Sequence, residues 1–193
     1  MKILLLSLIL SFIFITSCSI NGSFQGLFSY YKTTNNDNKI TFIKSTENNN
    51  YCNNAYDSAT IVIINGTELK KCLSQKSITL VYIWSPKCNS AKCYPLFLLQ
   101  DLCTQKNIEL LVVAEYYDTR KMTKNHNLIH PIFGIDTKYY KSNFTSRYLD
   151  LFLRDLLIDV NHTTLEKIKY NNFFYFRNGI YVKSFNDIQE INQ

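Results

Sequence analysis

The sequence predicts an α/β domain built on a mixed sheet, and three observations predict it. Ile61–Ile64, Ile78–Trp84 and Ile108–Ala114 are short runs that are apolar almost throughout, the pattern of parallel strands buried on both faces. The last two of these flank a helical stretch, so strand, helix and strand follow within about 35 residues, a βαβ unit with parallel neighbours and a right-handed crossover. Near the C-terminus, Phe173–Phe176 and Ile180–Phe185 meet at Arg177-Asn178-Gly179, and Asn-Gly between apolar runs is the strongest short hairpin signal. The expected sheet is therefore parallel in its middle and closed by an antiparallel hairpin.

The elements follow in order. Residues 19–58 have the composition of a tether, rich in Asn, with two apolar islands, Phe24–Tyr31 and Ile40–Ile43, that are candidates for edge strands. The globular pattern begins near Thr60. After the first buried strand, Asn65-Gly66 reads as a turn and Thr67 as the cap of a helix over Glu68–Gln75, with Leu69 and Leu73 on one face. Ile78–Trp84 is the central strand and ends in the only Trp of the chain, where Pro86 breaks it. Leu96–Thr104 reads as a helix with Leu98, Leu99 and Leu102 facing inward. Met122–Ile129 is a further helical stretch, and Ile132–Ile135 a short strand. An amphipathic helix begins near Asn143 or Thr145 and carries Tyr148, Leu149, Phe152, Leu153, Leu156, Leu157 and Val160 as its apolar stripe. Asp150 and Arg154 form an i,i+4 pair on its exposed side.

Composition narrows the function. The chain has 193 residues, 46% hydrophobic and 15% aromatic, enough for one packed domain. The formal charge is +6, or +5 once Lys2 is removed with a leader. No Lys/Arg cluster interleaves with aromatics on one face, so nucleic acid is not an expected partner. The basicity suits a solvated surface lying near anionic lipid headgroups.

The N-terminus sets the compartment. Met1-Lys2 is a short positive region, and Ile3–Ile15 is an apolar run shorter than a membrane span. It ends in Ile15-Thr16-Ser17-Cys18, which resembles the lipobox of bacterial lipoproteins. The resemblance implies a signal peptide over 1–17, cleavage before Cys18 and acylation of that residue, giving a stable lipid anchor. It places the domain of residues 59–193 on the periplasmic side of a bacterial envelope, and Ser19 favours the outer membrane. An ordinary secretory signal or an uncleaved anchor is the other reading, and both export the domain to where disulfides persist.

With Cys18 lipidated, five cysteines remain: Cys52, Cys72, Cys88, Cys93 and Cys103. An odd number leaves at least one free or paired with another chain. Cys72 and Cys103 lie on apolar helix faces and read as buried, inert thiols, whereas Cys52, in polar linker, is the exposed one. Zinc requires paired ligand spacings that His126, His130 and His162 do not supply, so neither metal nor cofactor is implied.

Cys88 and Cys93 follow the central strand directly, at the mouth of a helix, where thiolate is most easily stabilised. Tyr82-Ile83-Trp84-Ser85-Pro86-Lys87-Cys88 and Phe176-Arg177-Asn178-Gly179 resemble, respectively, the strand-end Trp–Cys segment and the hairpin of the thioredoxin-like superfamily. Val112-Val113-Ala114-Glu115 with Asp118, followed by Pro131–Asp136, is similar to its membrane-tethered TlpA-like redoxin branch. The resemblance implies a three-layer α/β/α sandwich and thiol–disulfide exchange with protein thiols or a redox partner, Cys88 attacking and the second Cys resolving. Trp84, Pro86 and Lys87 would surround the site.

Two departures stand out. The family's resolving position falls on Ala91, and the second thiol is Cys93, giving Cys-x4-Cys. Five residues of helix would rise about 7.5 Å and point the side chains apart, so a bond requires Cys88 in a loop and a helix that starts at about Ala91, capped by Asn89-Ser90. The family's cis-Pro position falls on Asn171, where a trans peptide is the default. These departures support the alternative of a catalytically inactive thioredoxin-like binding or scaffold lipoprotein with structural cysteines. A peroxidase is the weaker third reading, since no Thr-x-x-Cys precedes either thiol.

Overall fold

The computed structural model describes residues 26–45, 51–53, 56–57, 59–90 and 93–192. The expected leader, Cys18, Ala91 and Lys92 lie outside the described residues. Seven strands form one mixed sheet: β1 (Thr41–Lys44), β2 (Thr60–Ile64), β3 (Ile78–Trp84), β4 (Glu109–Ala114), β5 (Ile132–Ile135), β6 (Phe173–Arg177) and β7 (Ile180–Phe185), in the order β1-β2-β5-β4-β3-β6-β7. β1, β2, β5, β4 and β3 run parallel, while β6 and β7 are antiparallel. Six helices lie among the described residues: α1 (Tyr31–Asn35), α2 (Gly66–Ser74), α3 (Leu96–Gln105), α4 (Thr119–Met122), α5 (Thr145–Leu156) and α6 (His162–Ile168).

Strand alternation sends side chains to two separate cores, so the molecule is a three-layer sandwich compatible with the thioredoxin-like arrangement. On one face Val62, Val81, Ile83, Val113 and Phe174 pack against Leu69 and Leu73 of α2 and Phe152 and Leu156 of α5. On the other, Leu80, Tyr82, Trp84, Leu110 and Phe173 pack against Leu96, Leu99 and Cys103 of α3. β3 is the shared element, hydrogen-bonded to β4 on one side and β6 on the other. The hairpin turns through Asn178 and Gly179, both left-handed at φ 50° and 74°, which is the primed geometry that Asn-Gly favours.

Several local expectations are corrected. α2 is capped by Asn65 rather than Thr67: the Asn65 side chain accepts the Glu68 N–H, and the Glu68 carboxylate accepts the Asn65 N–H. That reciprocal box makes Asn65 the better cap. Gly66 then lets the helix start approach α5, since a Cβ there would sit 2.3 Å from the Phe152 carbonyl oxygen. In α3, Leu98 is exposed, and Leu96, Leu99 and Cys103 form the buried stripe with Leu102 half-buried. The helix expected over Met122–Ile129 is one turn, Thr119–Met122, capped by Asp118; Asn127 is left-handed at φ 53°, which a right-handed helix cannot accommodate. α5 starts after Phe144 without a side-chain cap, because the Asn143 side chain is hydrogen-bonded to Ser29. It ends at Leu156, short of Val160, and α6, which the pattern did not foretell, is capped by Asn161.

The second island of the presumed tether joins the fold. β1 pairs with β2 from Thr41 to Lys44, so the island is an edge strand. Ser29, Tyr30 and Tyr31 are also held: the Ser29 N–H bonds the Asn143 carbonyl at 2.9 Å, and the Tyr117 N–H bonds the Ser29 carbonyl at 2.8 Å. The folded part of the chain thus begins well before residue 59.

At the start of β4, the Glu109 carboxylate meets buried Lys76 at 2.7 Å and His130 at 2.6 Å. Burial raises the Glu109 pKa, but hydrogen bonds from Lys76 and His130 outweigh it and hold the carboxyl below its ordinary range. Burial pushes the His130 pKa down, with Glu109 only partly offsetting it. Both groups hold protons less readily folded than unfolded, so stability rises with pH. It is fully present above the ordinary values of 6.5 and 4.5 and is lost as pH falls through and below them. The urea midpoint is expected to drop in two stages on acidification, and His130→Gln should remove the first; equal slopes in variant and parent between those values would refute the assignment.

Candidate functional site

The candidate site is the loop between β3 and α3. β3 delivers Trp84 to the C-terminal end of the parallel strands, where it is buried and meets the His126 ring edge-on at 5.5 Å. Pro86 is buried and occupies the second position of a turn closed by the Cys88 N–H on the Ser85 carbonyl at 3.0 Å, the place where its fixed φ fits best. A second turn is closed by the Cys93 N–H on the Ser90 carbonyl at 3.0 Å. These turns bring Cys88 and Cys93 to a Cα separation of 6.0 Å in a disulfide, within the reach of such a bond.

Neither cysteine is in a helix. α3 begins at Leu96 with Pro95 at its N-cap position, the start that its apolar pattern predicts, and later than the start near Ala91 that a Cys88–Cys93 bond requires at the least. The residue before a proline is driven out of the α region, so Tyr94 ends any earlier turn. Among the described residues no helix starts at Asn89-Ser90. This start bears on the chemistry, because the field of a helix terminus fades within a turn and α3 starts well beyond Cys88.

Other groups hold the loop. The Tyr116 hydroxyl accepts the Lys87 N–H at 2.9 Å. The Lys87 ammonium lies 3.2 Å from Asp118 and 5.6 Å from the Tyr30 ring centroid. Its charge is thus shared with a carboxylate rather than left to the sulfurs. The Ser85 hydroxyl donates to the Glu115 carboxylate, and the Tyr148 hydroxyl to the Glu115 carbonyl. Ser90 Oγ lies 3.4 Å from Cys88 Sγ and 3.3 Å from Cys93 Sγ. The sequence signalled Ser90 only as a capping residue, Ser85 only as part of the strand-end segment and Tyr30 only as part of an apolar island, and nothing in it marked Tyr116.

Asn171 sits in the loop entering β6, and no cis peptide occurs among the described residues. Its side chain bonds Ser184 and Asn186. The Ile83 N–H donates to the Asn172 carbonyl at 2.8 Å, which carries the loop alongside the end of β3. A hollow of about 690 Å³ is an open groove between α5 and α6 that touches Glu115 but not the disulfide. A smaller one of about 130 Å³ adjoins it at Glu115, Leu149 and Tyr170 and reaches Asn171 and Asn172.

Of the remaining cysteines, Cys52 and Cys72 differ from their expected states and Cys103 matches its own. Cys52 is buried, not exposed, and forms a second disulfide with Cys72, which is therefore no free thiol. Tyr51 and Asn53 explain why the Asn-rich segment packs there: the Tyr51 hydroxyl donates to the Glu68 carbonyl at 3.1 Å, and Lys76 donates to Asn53 at 3.2 Å. Cys103 is free and buried, and burial pushes its thiol pKa up to about 12. Among the described residues, no cluster of His, Cys, Asp or Glu converges as a metal site, and no helix is long and apolar enough to cross a membrane.

No family model matches the chain, and neither a curated protein nor a solved structure matches it.

The two disulfides differ in access: Cys88 and Cys93 are half-buried, Cys52 and Cys72 buried. Mild reduction of the native protein followed by alkylation and peptide mass mapping should label Cys88 and Cys93 first, and Cys52 and Cys72 only on unfolding. Simultaneous labelling of all four would contradict this ranking.

Proposed function

We propose that the protein is a lipid-anchored, thioredoxin-like protein of the bacterial envelope that exchanges its Cys88–Cys93 disulfide with protein thiols. Cys88 is the nucleophile of the reduced form and Cys93 the resolving thiol. The observation that carries this reading is the partly exposed disulfide on the loop leaving the central strand, set against a second, buried disulfide that serves stability. A thiolate can reach the first without unfolding the domain. The resemblance at Tyr82–Cys88 and Phe176–Gly179 supports the same assignment, and Ile15-Thr16-Ser17-Cys18 supports a lipid anchor at Cys18 on a periplasm-facing surface, in the outer membrane by preference.

The alternative is a non-catalytic binding or scaffold lipoprotein. It is favoured by Lys87 being paired with Asp118 and by the distance of Cys88 from the helix start, both of which remove expected sources of thiolate stabilisation. Equilibration of the purified protein in glutathione redox buffers separates the two. Exchange predicts a reversible Cys88–Cys93 couple and a Cys88 thiol pKa below about 7.5; an ordinary thiol pKa with no exchange would leave only the scaffold. For the anchor, Cys18→Ala should release the protein from membranes, and unchanged retention would exclude lipidation as its tether.

A further inference from the structure

We infer that Ser90 is a catalytic residue of the exchange, its hydroxyl serving as the hydrogen-bond donor to whichever sulfur of the Cys88–Cys93 pair leaves as thiolate. The inference deepens the exchange reading above and rests on it.

Ser90 Oγ is nearly equidistant from the two sulfurs, 3.4 Å from Cys88 Sγ and 3.3 Å from Cys93 Sγ. Both distances are within hydrogen-bond range for sulfur, and the residue is exposed, so the hydroxyl rotor is free to turn. A serine carries one O–H donor and so serves one sulfur at a time. A disulfide sulfur is a weak acceptor and gives such a donor little to hold. A thiolate is a charged acceptor, and hydrogen bonds to ionised groups are about twice as strong as neutral ones. The contact therefore strengthens as charge develops on the departing sulfur, which is when it accelerates the reaction.

The need for such a donor follows from the loop. The usual supports for a thiolate after a strand are a helix terminus and a nearby cation. Here α3 begins only at Leu96, and Lys87 is drawn to Asp118 and Tyr30. Among the described residues, Ser90 is the side chain with a hydrogen-bond contact to both sulfurs.

The steps balance with a partner dithiol as reductant. A partner thiolate attacks Cys88 Sγ, forming a mixed disulfide and breaking the Cys88–Cys93 bond, whose electron pair leaves on Cys93 Sγ. The Ser90 O–H then donates to the Cys93 thiolate, which takes up the proton lost by the partner's second thiol. That second sulfur, now a thiolate, attacks the partner's own sulfur in the mixed disulfide. The partner is released as a disulfide, and Cys88 departs as thiolate while the Ser90 hydroxyl turns to it. Two partner thiols are oxidised, one protein disulfide is reduced, and the same hydroxyl has served both departures.

The test compares the full-length protein with Ser90→Ala and Ser90→Thr, the latter keeping the hydroxyl. Two quantities are read: thiolate absorbance at 240 nm against pH in the reduced protein, and the rate of exchange with glutathione across the same pH range. Ser90→Ala should leave about tenfold less thiolate below the thiol pKa and slow exchange about tenfold, with the pH profile displaced to higher pH. Ser90→Thr should stay within about threefold of the parent. An alanine variant with unchanged thiolate titration overturns the inference. So does a threonine variant as impaired as alanine, which would assign the effect to loop packing. A parent protein that fails to exchange while Ser90→Ala still shifts the titration would refute the exchange reading and leave the Ser90 contact standing.

Discussion

The structure depends on the burial of β3 on both faces and at both edges. Its residues from Thr79 to Trp84 are all buried, and those from Leu80 to Trp84 alternate between the two cores. Six residue pairs tie it to β4 and five to β6, so its backbone groups are satisfied along the ladder and beyond it, where Ile83 bonds Asn172. Such a strand cannot shift register without turning apolar side chains to the wrong layer. The loop that leaves it at Ser85 therefore starts from a fixed point, and its first turn, with Pro86 buried, inherits that rigidity.

The disulfides divide the work according to where they sit. Cys52–Cys72 joins the connection between β1 and β2 to α2 and is buried. It closes a loop of 20 residues and so restricts the unfolded chain. Cys88–Cys93 spans only 5 residues and constrains little beyond its own loop. Its position, half-buried at the C-terminal ends of the parallel strands, is where open α/β sheets place their chemistry. Around it the residues from Ser29 to Tyr31 and the Tyr116–Asp118 stretch form a wall, so the N-terminal segment shapes the surroundings of the site.

Much of the fold was legible because burial in a parallel sheet leaves a plain mark. Ile78–Trp84 was read with its observed limits, and the hairpin at Asn178-Gly179 followed from two residues that tolerate left-handed backbone. Errors gathered where two residues of similar chemistry competed locally. Asn65 and Thr67 both cap helices well, and Glu68 decided between them; Asn143 suits a cap but was taken by Ser29 from 114 positions away. The start of α3 at Leu96 was legible in its apolar pattern, whereas Asn89-Ser90, a good capping pair by composition, begins no helix among the described residues.

By itself the sequence determined the layered α/β architecture, the central strand, the placement of Cys88 after it, and the buried state of Cys103, because each follows from local pattern and nearest-neighbour chemistry. Only the tertiary structure decided which cysteines pair, that residues 41–44 belong to the sheet, that Lys87 is neutralised by Asp118, and that Ser90 lies between two sulfurs. These depend on distances between segments far apart in the chain or on the path of a short loop. Side-chain periodicity sets which face of an element is buried; what that face or loop meets is fixed when the layers close.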